Sequence, residues 1–447
     1  MRYIPATEQD RAKMLSAIGV KNVGDLFSQI PKNLQVKTPL SLPIPLSEIE
    51  LVRHMKKLAK SGDVLNDEYA SFLGGGSYRH HAPAWISQVL SRSEFLTAYT
   101  PYQPEASQGT LQAIYEYQTF VALLSGMDVA NASMYDGATA TAEAAMLAYR
   151  VNKKNSIYVS RALHPNYRDV LSTYLRDLGV SIKELPINEE TGKTQFPEEV
   201  EEVSAVIVGY PNYFGVIEDL TEARAFADKT KALLVSVTTE PLSLAVLKPP
   251  GEFGVDIFVG EGQSFGLPVG FGGPNLGMFA VKEKLMRNMP GRIVGKGFDI
   301  EGKESYLIVL STREQHIRRG KATSNICTNE ALCAVSAGMW LASYGKEGLK
   351  KLAMLNVEKA LVLGIYLSSI PGVSLPFEQR SFNEFVIRTP KKATSVLRYL
   401  EREKIQGGIA LSESYPEFPN DILVCVTEMN TNDELVRFAR TLKEVLQ

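Results

Sequence analysis

Residues 205–237 read AVIVGYPNYFGVIEDLTEARAFADKTKALLVSV, two apolar runs joined by a segment with helical spacing. The runs Ala205–Tyr210 and Leu233–Val237 are apolar at almost every position rather than at alternate positions. Strands of this kind are covered on both faces, which is typical of parallel sheets whose crossover connections are helices. A helix over Leu220–Asp228 supplies such a crossover. This stretch therefore predicts a strand–helix–strand unit of an α/β domain.

The same pattern continues on both sides of this unit. Further strands are predicted at Ser156–Ser160, Asp256–Val259 and Leu276–Val281, and a further helix at Tyr167–Leu178. In such sheets ligands bind beyond the carboxyl ends of the strands, so the loops that follow these runs are the first place to seek a site. The stretch 286–328 is basic and is predicted to consist mostly of loops.

A helical segment precedes the α/β region. Thr7 is predicted to cap one helix, and Ser47 with Glu50 forms the capping box of a second. Proline-rich stretches separate the two helices, which favours an extended arm that wraps over another surface. A helical prefix that covers the chain's own sheet is the alternative.

A smaller unit of mixed helices and strands follows the α/β region. Its helices are predicted at 329–344, 349–369, 394–403 and 433–445, and its strands at 382–388 and 422–426. We therefore predict three parts: a helical N-terminal arm (1–70), a large α/β domain (71–328), and a linking helix with a small α+β C-terminal domain (329–447).

The charge balance excludes several classes of function. The 447 residues include 48 Lys and Arg against 50 Asp and Glu, a formal net charge of −2. Nucleic-acid and acidic membrane surfaces require a positive excess, so neither partner is expected. No run approaches the roughly 20 apolar residues of a membrane span, and the first 20 residues carry charges throughout. With three cysteines, too few for a disulfide framework, we expect a soluble protein of the cytoplasm.

Four loops hold the unusual composition of the chain. They read FLGGGSYRHHAPAW (72–85), YTPYQPEASQGT (99–110), MYDGATATAEAAM (134–146) and DIFVGEGQSFGLPVGFGGPNLG (256–277). The first two combine Gly or Pro with aromatic, amide, hydroxyl and charged side chains, a composition typical of ligand-binding walls. A solvated polar turn and a proline-stiffened connector are the structural alternatives for these two loops.

The third loop gives only a weak anion-binding signal, and a self-capped buried helix is the structural alternative. Gly137 is predicted to open a helix whose free amides could bind an anion. However, Asp136 stands where its carboxylate would cap those amides and repel a phosphate. The fourth loop is rich in glycine, and no lysine occurs between Lys248 and Lys282. The three cysteines lack histidines at ligand spacing, so no metal site is predicted.

Taken together, these motifs and RGKATSNICT (319–328) resemble those of a known family. Along essentially its whole length the chain resembles the glycine decarboxylases, the P-proteins of the glycine cleavage system, and among them subunit 1 of the two-subunit form. The resemblance implies the aminotransferase-like fold (fold type I) of pyridoxal-phosphate (PLP) enzymes. It also implies an α2β2 tetramer with subunit 2, release of CO2 from glycine, and transfer of the aminomethyl group to the lipoyl arm of the H-protein.

The resemblance also implies where the cofactor-binding residues should stand, and this chain differs at three of those positions. The anchoring lysine should follow the strand Asp256–Val259, where this chain has Gln263, whose amide cannot form a Schiff base. The acid that pairs with the pyridine nitrogen should end the strand Leu233–Val237, which is followed by Thr238. Thr139 occupies the ring-stacking position. We therefore expect PLP on the partner subunit, and none bound covalently to this chain.

On this interpretation the chain completes the active site of the PLP-bearing subunit 2. By analogy with aminotransferase-like dimers, the residues expected to line the pocket for glycine and the lipoyl arm are Ser77, Tyr78, Arg79, Tyr99, Tyr102, Gln103 and Glu105. Those expected to approach the partner's PLP phosphate are Gly272, Gly273, Thr323 and Ser324. A guanidinium suits a carboxylate, which favours Arg79 as the group that binds glycine.

Two other functions are compatible with the sequence. In the first, the chain is an autonomous PLP-dependent decarboxylase or aminotransferase anchored through another lysine, such as Lys296. In the second, it is a non-catalytic regulatory homologue that binds a partner without shaping its active site. The visible absorption spectrum of the isolated chain tests the first alternative, and an assay of glycine-dependent CO2 exchange with the partner present tests the second.

Overall fold

The computed structural model describes residues 5–36, 38, 40–61, 69–326, 329–377 and 381–447. The chain divides into two units, Met1–Asn66 and Asp67–Gln447. The helices of the described residues are α1 (Glu8–Ile18), α2 (Glu48–Ser61), α3 (Ala84–Leu90), α4 (Ser93–Leu96), α5 (Gln108–Ser125), α6 (Gly137–Asn152), α7 (Pro165–Leu175), α8 (Leu220–Lys229), α9 (Gln315–Arg318), α10 (Ala331–Ser368), α11 (Ala393–Arg402) and α12 (Asn432–Leu446).

The first unit contains α1 and α2, and both predicted helix starts are confirmed. The Thr7 hydroxyl accepts from the Asp10 amide at 3.2 Å, and the Asp10 carboxylate accepts from the Thr7 amide at 2.9 Å. Ser47 and Glu50 make the same reciprocal pair at the start of α2. Helix α1 buries none of its residues. Local capping therefore specifies these helices, and packing within the unit adds little.

The second unit is built on a twisted sheet. Its strands are β2 (Val129–Ala130), β3 (Ser156–Ser160), β4 (Ser181–Leu185), β5 (Ala205–Gly209), β6 (Leu233–Thr238), β7 (Ile257–Glu261) and β8 (Gly277–Val281), and they follow a two-residue strand, β1 (Ala70–Ser71). Among the described residues, the sheet order is β2-β8-β7-β6-β5-β3-β4. The ladders from β4 to β7 are parallel, as the sequence predicts.

The predicted parallel-rich sheet is confirmed, and β8 is an antiparallel strand within it. This strand pairs antiparallel with β7, with Ile257 opposite Val281. The connection 262–276 contains no helix, so the chain turns back beside the strand it has just left instead of crossing over the sheet. The turn-back keeps the glycine-rich loop at the carboxyl end of β7.

Alternate residues of the strands supply two separate cores. On β7, Phe258 belongs to the same core as Tyr117 of α5 and Trp340 of α10, whereas Ile257 belongs to a second core with Leu147 of α6. All these side chains are at most 1% exposed. Each contributes roughly 1.5–3 kcal/mol by leaving water. Helices therefore cover both faces of the sheet, as the unbroken apolar runs indicate.

A β-hairpin occupies part of the stretch that the sequence predicts as loop. Strands β9 (Ile293–Phe298) and β10 (Glu304–Val309) pair antiparallel. Two glutamines of α5 attach the hairpin to the helix: Gln118 bonds both the amide and the carbonyl of Val294, and Gln108 does the same with Tyr306. The glycines within IVGKGF interrupt the alternation that would otherwise mark a strand.

The C-terminal part has the predicted α+β character. Helix α10 is broken at Gly345 (φ 58°, ψ −177°), between the two helices that the sequence predicts. The later strands are β11 (Glu384–Arg388), β12 (Ile405–Gln406), β13 (Ile409–Ala410) and β14 (Asp421–Cys425); one sheet has the order β11-β14-β13, and β12 pairs with β1. The domain bounds at 70/71 and 328/329 stay predictions. Within the described ranges, no helix is both long enough and apolar enough to cross a bilayer.

Candidate functional site

Gln263 lies just beyond the carboxyl end of β7, and its side chain is engaged by backbone. The residue is 1% exposed. Its Oε1 accepts from the Tyr78 amide at 2.8 Å, and its Nε2 donates to the carbonyls of Tyr78 at 3.0 Å and Leu267 at 2.7 Å. This carboxamide has no nucleophilic amine, and its polar atoms are bonded within the chain. It cannot anchor an aldehyde cofactor.

A buried carboxylate occupies the N-terminus of α6. Glu261, 3% exposed, accepts from the amides of Gly137 at 3.0 Å and Leu276 at 2.8 Å. Burial raises the pKa of Glu261 to about 7, although the amide hydrogen bonds oppose the rise. Asp136 also accepts from the Thr139 amide at 2.7 Å, which confirms the predicted cap. A phosphate arriving here would have to displace one carboxylate and face the other.

Further side chains of this chain occupy the space at the carboxyl ends of the strands. The Thr238 hydroxyl donates to a backbone carbonyl at 2.8 Å, and the Thr239 hydroxyl lies 3.4 Å from the Tyr78 hydroxyl. The end of β6 therefore presents hydroxyls where an acid would be needed. The Tyr167 hydroxyl lies against α6, so that a Cβ added at Gly137 would come within 2.2 Å of it.

His164, beyond the end of β3, is a site residue that the sequence analysis missed. Its ring lies between Tyr167 and Tyr213, with centroids at 5.0 and 4.9 Å. Nδ1 accepts from the Asn166 amide at 3.1 Å, so Nε2 carries the proton and donates to the Gly75 carbonyl at 2.6 Å. Burial lowers the pKa of this imidazole, in agreement with the one acceptor and one donor nitrogen that its hydrogen bonds indicate. A histidine before proline at the end of a parallel strand is the sequence signal that could have identified it.

His80 is clamped between two carboxylates from different parts of the fold. Its Nε2 lies 2.9 Å from Glu240, beyond the end of β6, and its Nδ1 lies 2.9 Å from Glu428, after β14. The His80 side chain is 1% exposed and the carboxylates 4% and 8%. Burial alone would lower the pKa of His80, but the two carboxylates raise it to about 10. The pKa of Glu428 falls to about 2, because hydrogen bonding and charge from His80 outweigh its burial. The group is a buried imidazolium that ties the C-terminal part to the sheet.

Glu384 is a further buried carboxylate that hydrogen-bonds to the loop 72–85. Its Oε2 accepts from the Tyr78 hydroxyl at 2.7 Å, and its Oε1 from the Gly75 amide at 2.6 Å. Burial raises the pKa of Glu384 to about 7, against the effect of these two hydrogen bonds. Tyr78 is 1% exposed, so in this chain it is an internal anchor of the loop. Among the described residues, no group of three or more His, Cys, Asp or Glu has the arrangement of a metal site.

The titration of His80 predicts a fall in stability at alkaline pH. Its pKa is about 10 in the folded chain against 6.5 for the free side chain, so above pH 6.5 the folded state keeps a proton that the unfolded state loses. The free energy of unfolding should therefore decline as pH rises, and the contribution should be gone above about pH 10. Urea unfolding measured between about pH 7.5 and pH 10, above the pKa of Glu261 and Glu384, checks this. The His80→Ala variant should show a flatter profile, and an equal slope in both proteins would contradict the assignment.

The side chains between these anchors point outward. Ser77 and Arg79 are exposed, and they alternate with the inward Tyr78 and His80. An extended segment with its inner side chains locked presents its outer ones in fixed positions. Of the predicted lining residues, Ser77 and Arg79 are therefore available to a second chain.

The second loop (99–110) is also exposed, and the buried Arg292 supports it. Tyr99 is 66% and Tyr102 51% exposed, and Gln103 and Glu105 lie on the surface. Arg292, 4% exposed, donates to the Tyr102 hydroxyl at 2.8 Å, and its guanidinium lies 5.2 Å from the centre of that ring. Arg292 was not predicted from the sequence, because nothing in the pattern around it distinguishes a buried arginine from a surface one.

The four residues predicted near the partner's phosphate lie in two loops. Gly272 is exposed at φ +99° with open space on its Cβ side, and a Cβ added at Gly273 would lie 3.8 Å from the Asn275 backbone nitrogen. The Thr323 hydroxyl donates to the Arg313 carbonyl at 3.3 Å, and the Ser324 hydroxyl to Glu143 at 2.8 Å. Within this chain both hydroxyls therefore have internal acceptors.

The chain has the fold of the fold-type-I PLP enzymes. The features in common are the sheet order, the antiparallel β8 and a site at the carboxyl ends of the strands. Sphingosine-1-phosphate lyase of Burkholderia pseudomallei, 15% identical, has this fold with a TM-score of 0.65 over 93% of this chain and 94% of its own.

The chain belongs to the glycine cleavage system P-protein family, whose model matches residues 1–442. It is 47% identical to the probable glycine dehydrogenase (decarboxylating) subunit 1 of Desulfitobacterium hafniense over 447 residues, which is 100% of both chains. A crystal structure of glycine decarboxylase (P-protein) in inhibitor-bound form matches with a TM-score of 0.87 and 44% identity, again over 100% of both chains.

The pocket of this chain does not fit the cofactor of that fold class. Gln263 offers no amine, Glu261 holds the amides that would receive a phosphate, and Thr238 replaces an acid. These are three mismatches, two at the carboxyl end of β7 and one at the end of β6. The chain therefore has the fold of a PLP enzyme, and the residues at these three positions do not fit a covalently anchored PLP.

Proposed function

We propose that the chain is the non-anchoring subunit of glycine dehydrogenase (decarboxylating). The assembled enzyme would release CO2 from glycine and transfer the aminomethyl group to the lipoyl arm of the H-protein. PLP would reside on subunit 2, and this chain would complete that subunit's active site from across the interface. The observation that carries the proposal is Gln263, a carboxamide hydrogen-bonded to backbone where a Schiff-base lysine would stand.

The outward side chains define what this chain would do for its partner. Arg79 would bind the glycine carboxylate by charge-assisted hydrogen bonds, and Ser77 would supply a neighbouring donor. The aromatic rings of Tyr99 and Tyr102 would wall the pocket and exclude water from the lipoyl arm. Arg292 would fix the second of these rings from behind. All of these groups bind, orient or shield.

The arm is proposed as part of the interface with subunit 2, in a cytoplasmic α2β2 tetramer. Along α2, Leu51, Val52 and Met55 form an apolar stripe, and they are 48%, 46% and 55% exposed. An apolar stripe of this kind is stable in water only when another surface covers it. We infer that subunit 2 supplies that surface.

The Arg79→Ala substitution should weaken glycine binding by the assembled enzyme. Loss of a charged hydrogen-bond donor is worth about 1.5–3 kcal/mol, so KM for glycine should rise about 10- to 100-fold. The measurement is glycine-dependent CO2 exchange by this chain mixed with subunit 2 and H-protein. The absorbance of PLP on the partner should stay intact.

Arg176→Ala serves as the matched control, since Arg176 is an exposed arginine whose partner is Asp177. It should leave KM unchanged. An unchanged glycine KM in Arg79→Ala would remove the proposed role of Arg79. Full exchange activity of subunit 2 alone would refute the proposed function as a whole.

An autonomous PLP enzyme is the other candidate, and Lys296 is the lysine it would need. Lys296 lies on β9 with its Nζ 2.6 Å from Glu304, on the surface hairpin rather than at the carboxyl edge of the main sheet. The isolated chain incubated with PLP should therefore show no protein-bound absorbance above about 400 nm. Borohydride-trapped PLP on any peptide of this chain would favour this alternative.

A further inference from the structure

We propose that Gln263 is a positioning residue: its carboxamide holds the backbone of Tyr78 so that Ser77 and Arg79 project in fixed register toward the partner's reaction site. The inference rests on the proposed function, since the projected side chains matter only if a second chain uses them. The inference assigns a structural role to Gln263, which stands where the anchoring lysine would be expected.

The geometry of the contact is that of a peptide group. Oε1 accepts from the Tyr78 amide at 2.8 Å and Nε2 donates to the carbonyl of the same residue at 3.0 Å, as a neighbouring β-strand would. The second hydrogen of Nε2 is bonded to the Leu267 carbonyl at 2.7 Å, which fixes the orientation of the amide. Burial to 1% exposure keeps water from replacing these partners.

Only a carboxamide satisfies all three backbone groups. Lysine offers donors alone and would leave the Tyr78 amide without an acceptor. Glutamate would accept from that amide but would turn an oxygen toward two carbonyls. Methionine keeps the volume and leaves all three groups unpaired.

Other residues hold the rest of the loop 74–81, so the Gln263 carboxamide fixes only the backbone of Tyr78. The Tyr78 hydroxyl bonds to Glu384, and His80 is held between Glu240 and Glu428. These contacts fix side chains, whereas Gln263 alone among the described side chains bonds both the amide and the carbonyl of Tyr78. Loss of the amide should therefore loosen the segment that carries Ser77 and Arg79 without unfolding the domain.

The chain contains a matched control in Gln118. This buried glutamine makes the same pair of bonds, accepting from the Val294 amide at 2.9 Å and donating to its carbonyl at 3.0 Å. Gln118→Met removes the same chemistry at the hairpin, away from the loop 74–81.

The first test is hydrogen exchange of the isolated full chain, read by mass spectrometry. Gln263→Met should raise exchange in the peptides that cover 74–82, and Gln118→Met in those that cover 293–309. Equal protection of 74–82 in wild type and Gln263→Met would overturn the inference whatever the activity.

The second test is CO2 exchange with subunit 2. Gln263→Met should lower kcat/KM for glycine about 10- to 100-fold, mainly through KM, as expected for a displacement of about 1 Å. It should add little to Arg79→Ala in the double variant, because both act on the same contact. Additive effects in the double variant, or an unchanged kcat/KM in Gln263→Met, would overturn the inference. If subunit 2 is active alone, the proposed function fails, and the exchange data still decide whether Gln263 orders the loop.

Discussion

The His80→Ala variant should lose about 3–5 kcal/mol of stability. Removing one member of a buried ion pair leaves its partner charged in a low-dielectric site, a loss of that order. Here two carboxylates, Glu240 and Glu428, would remain on either side of the vacated space. A shift of the urea or thermal unfolding midpoint measures the loss, and the loss should shrink at acidic pH as the carboxylates take up protons.

His81→Ala is the control for this prediction. His81 is exposed, and its ring contacts only the Tyr344 hydroxyl, at 3.2 Å, among the described partners. Its bonds to Glu428 and Trp340 use backbone atoms that alanine keeps. The control should change stability by about 0.5 kcal/mol or less. Equal losses in both variants would contradict the role of His80 as a buried cation, and partial recovery in His80→Ala/Glu428→Gln would support it.

The Leu51→Ser/Met55→Ser variant should bind subunit 2 about a hundredfold more weakly. Each apolar side chain of this size gains roughly 1.5–3 kcal/mol when it is buried, so the pair accounts for at least that change in affinity. Sedimentation or titration of the two subunits measures the dissociation constant directly.

Arg53→Ser/Lys57→Ser places the same residue type on the opposite side of the same helix. Its effect on helix propensity is comparable, so any difference between the two double variants reflects the apolar stripe. We expect near-normal assembly from this control. If the apolar variant instead assembles normally and the isolated chain becomes less stable, the arm covers its own chain, the alternative that the sequence leaves open.

Much of the fold could be predicted because its main strands are buried on both faces. The runs that begin at Ser156, Ala205 and Leu233 were located to within one residue, since near-continuous apolar sequence between helices has few other interpretations. The direction of β8 could not be predicted, because a strand's composition does not record which way its neighbour runs. The hairpin 293–309 was missed because side chains of α5 hold it, a tertiary effect that no local pattern carries.

The candidate site, like the fold, was predicted only in part. Asp136 as a cap and Gln263 as a lost anchor follow from local sequence and from the resemblance, and the structure shows the cap. Tyr78 and His80 bond to Glu384, Glu240 and Glu428, carboxylates that are separated by up to about 190 positions along the chain. Such contacts arise only when the fold brings distant loops together. Tyr78 illustrates the limit, since one polar aromatic residue between Ser77 and Arg79 gives no sign that it faces inward.

Glu261 on the helix amides has an evolutionary consequence. A lysine restored at position 263 would still meet a carboxylate where a phosphate belongs, and a neutral residue at position 261 would free the amides without supplying an amine. Under the proposed function, neither substitution alone would restore a cofactor site, so the chain stays dependent on subunit 2 until both positions change.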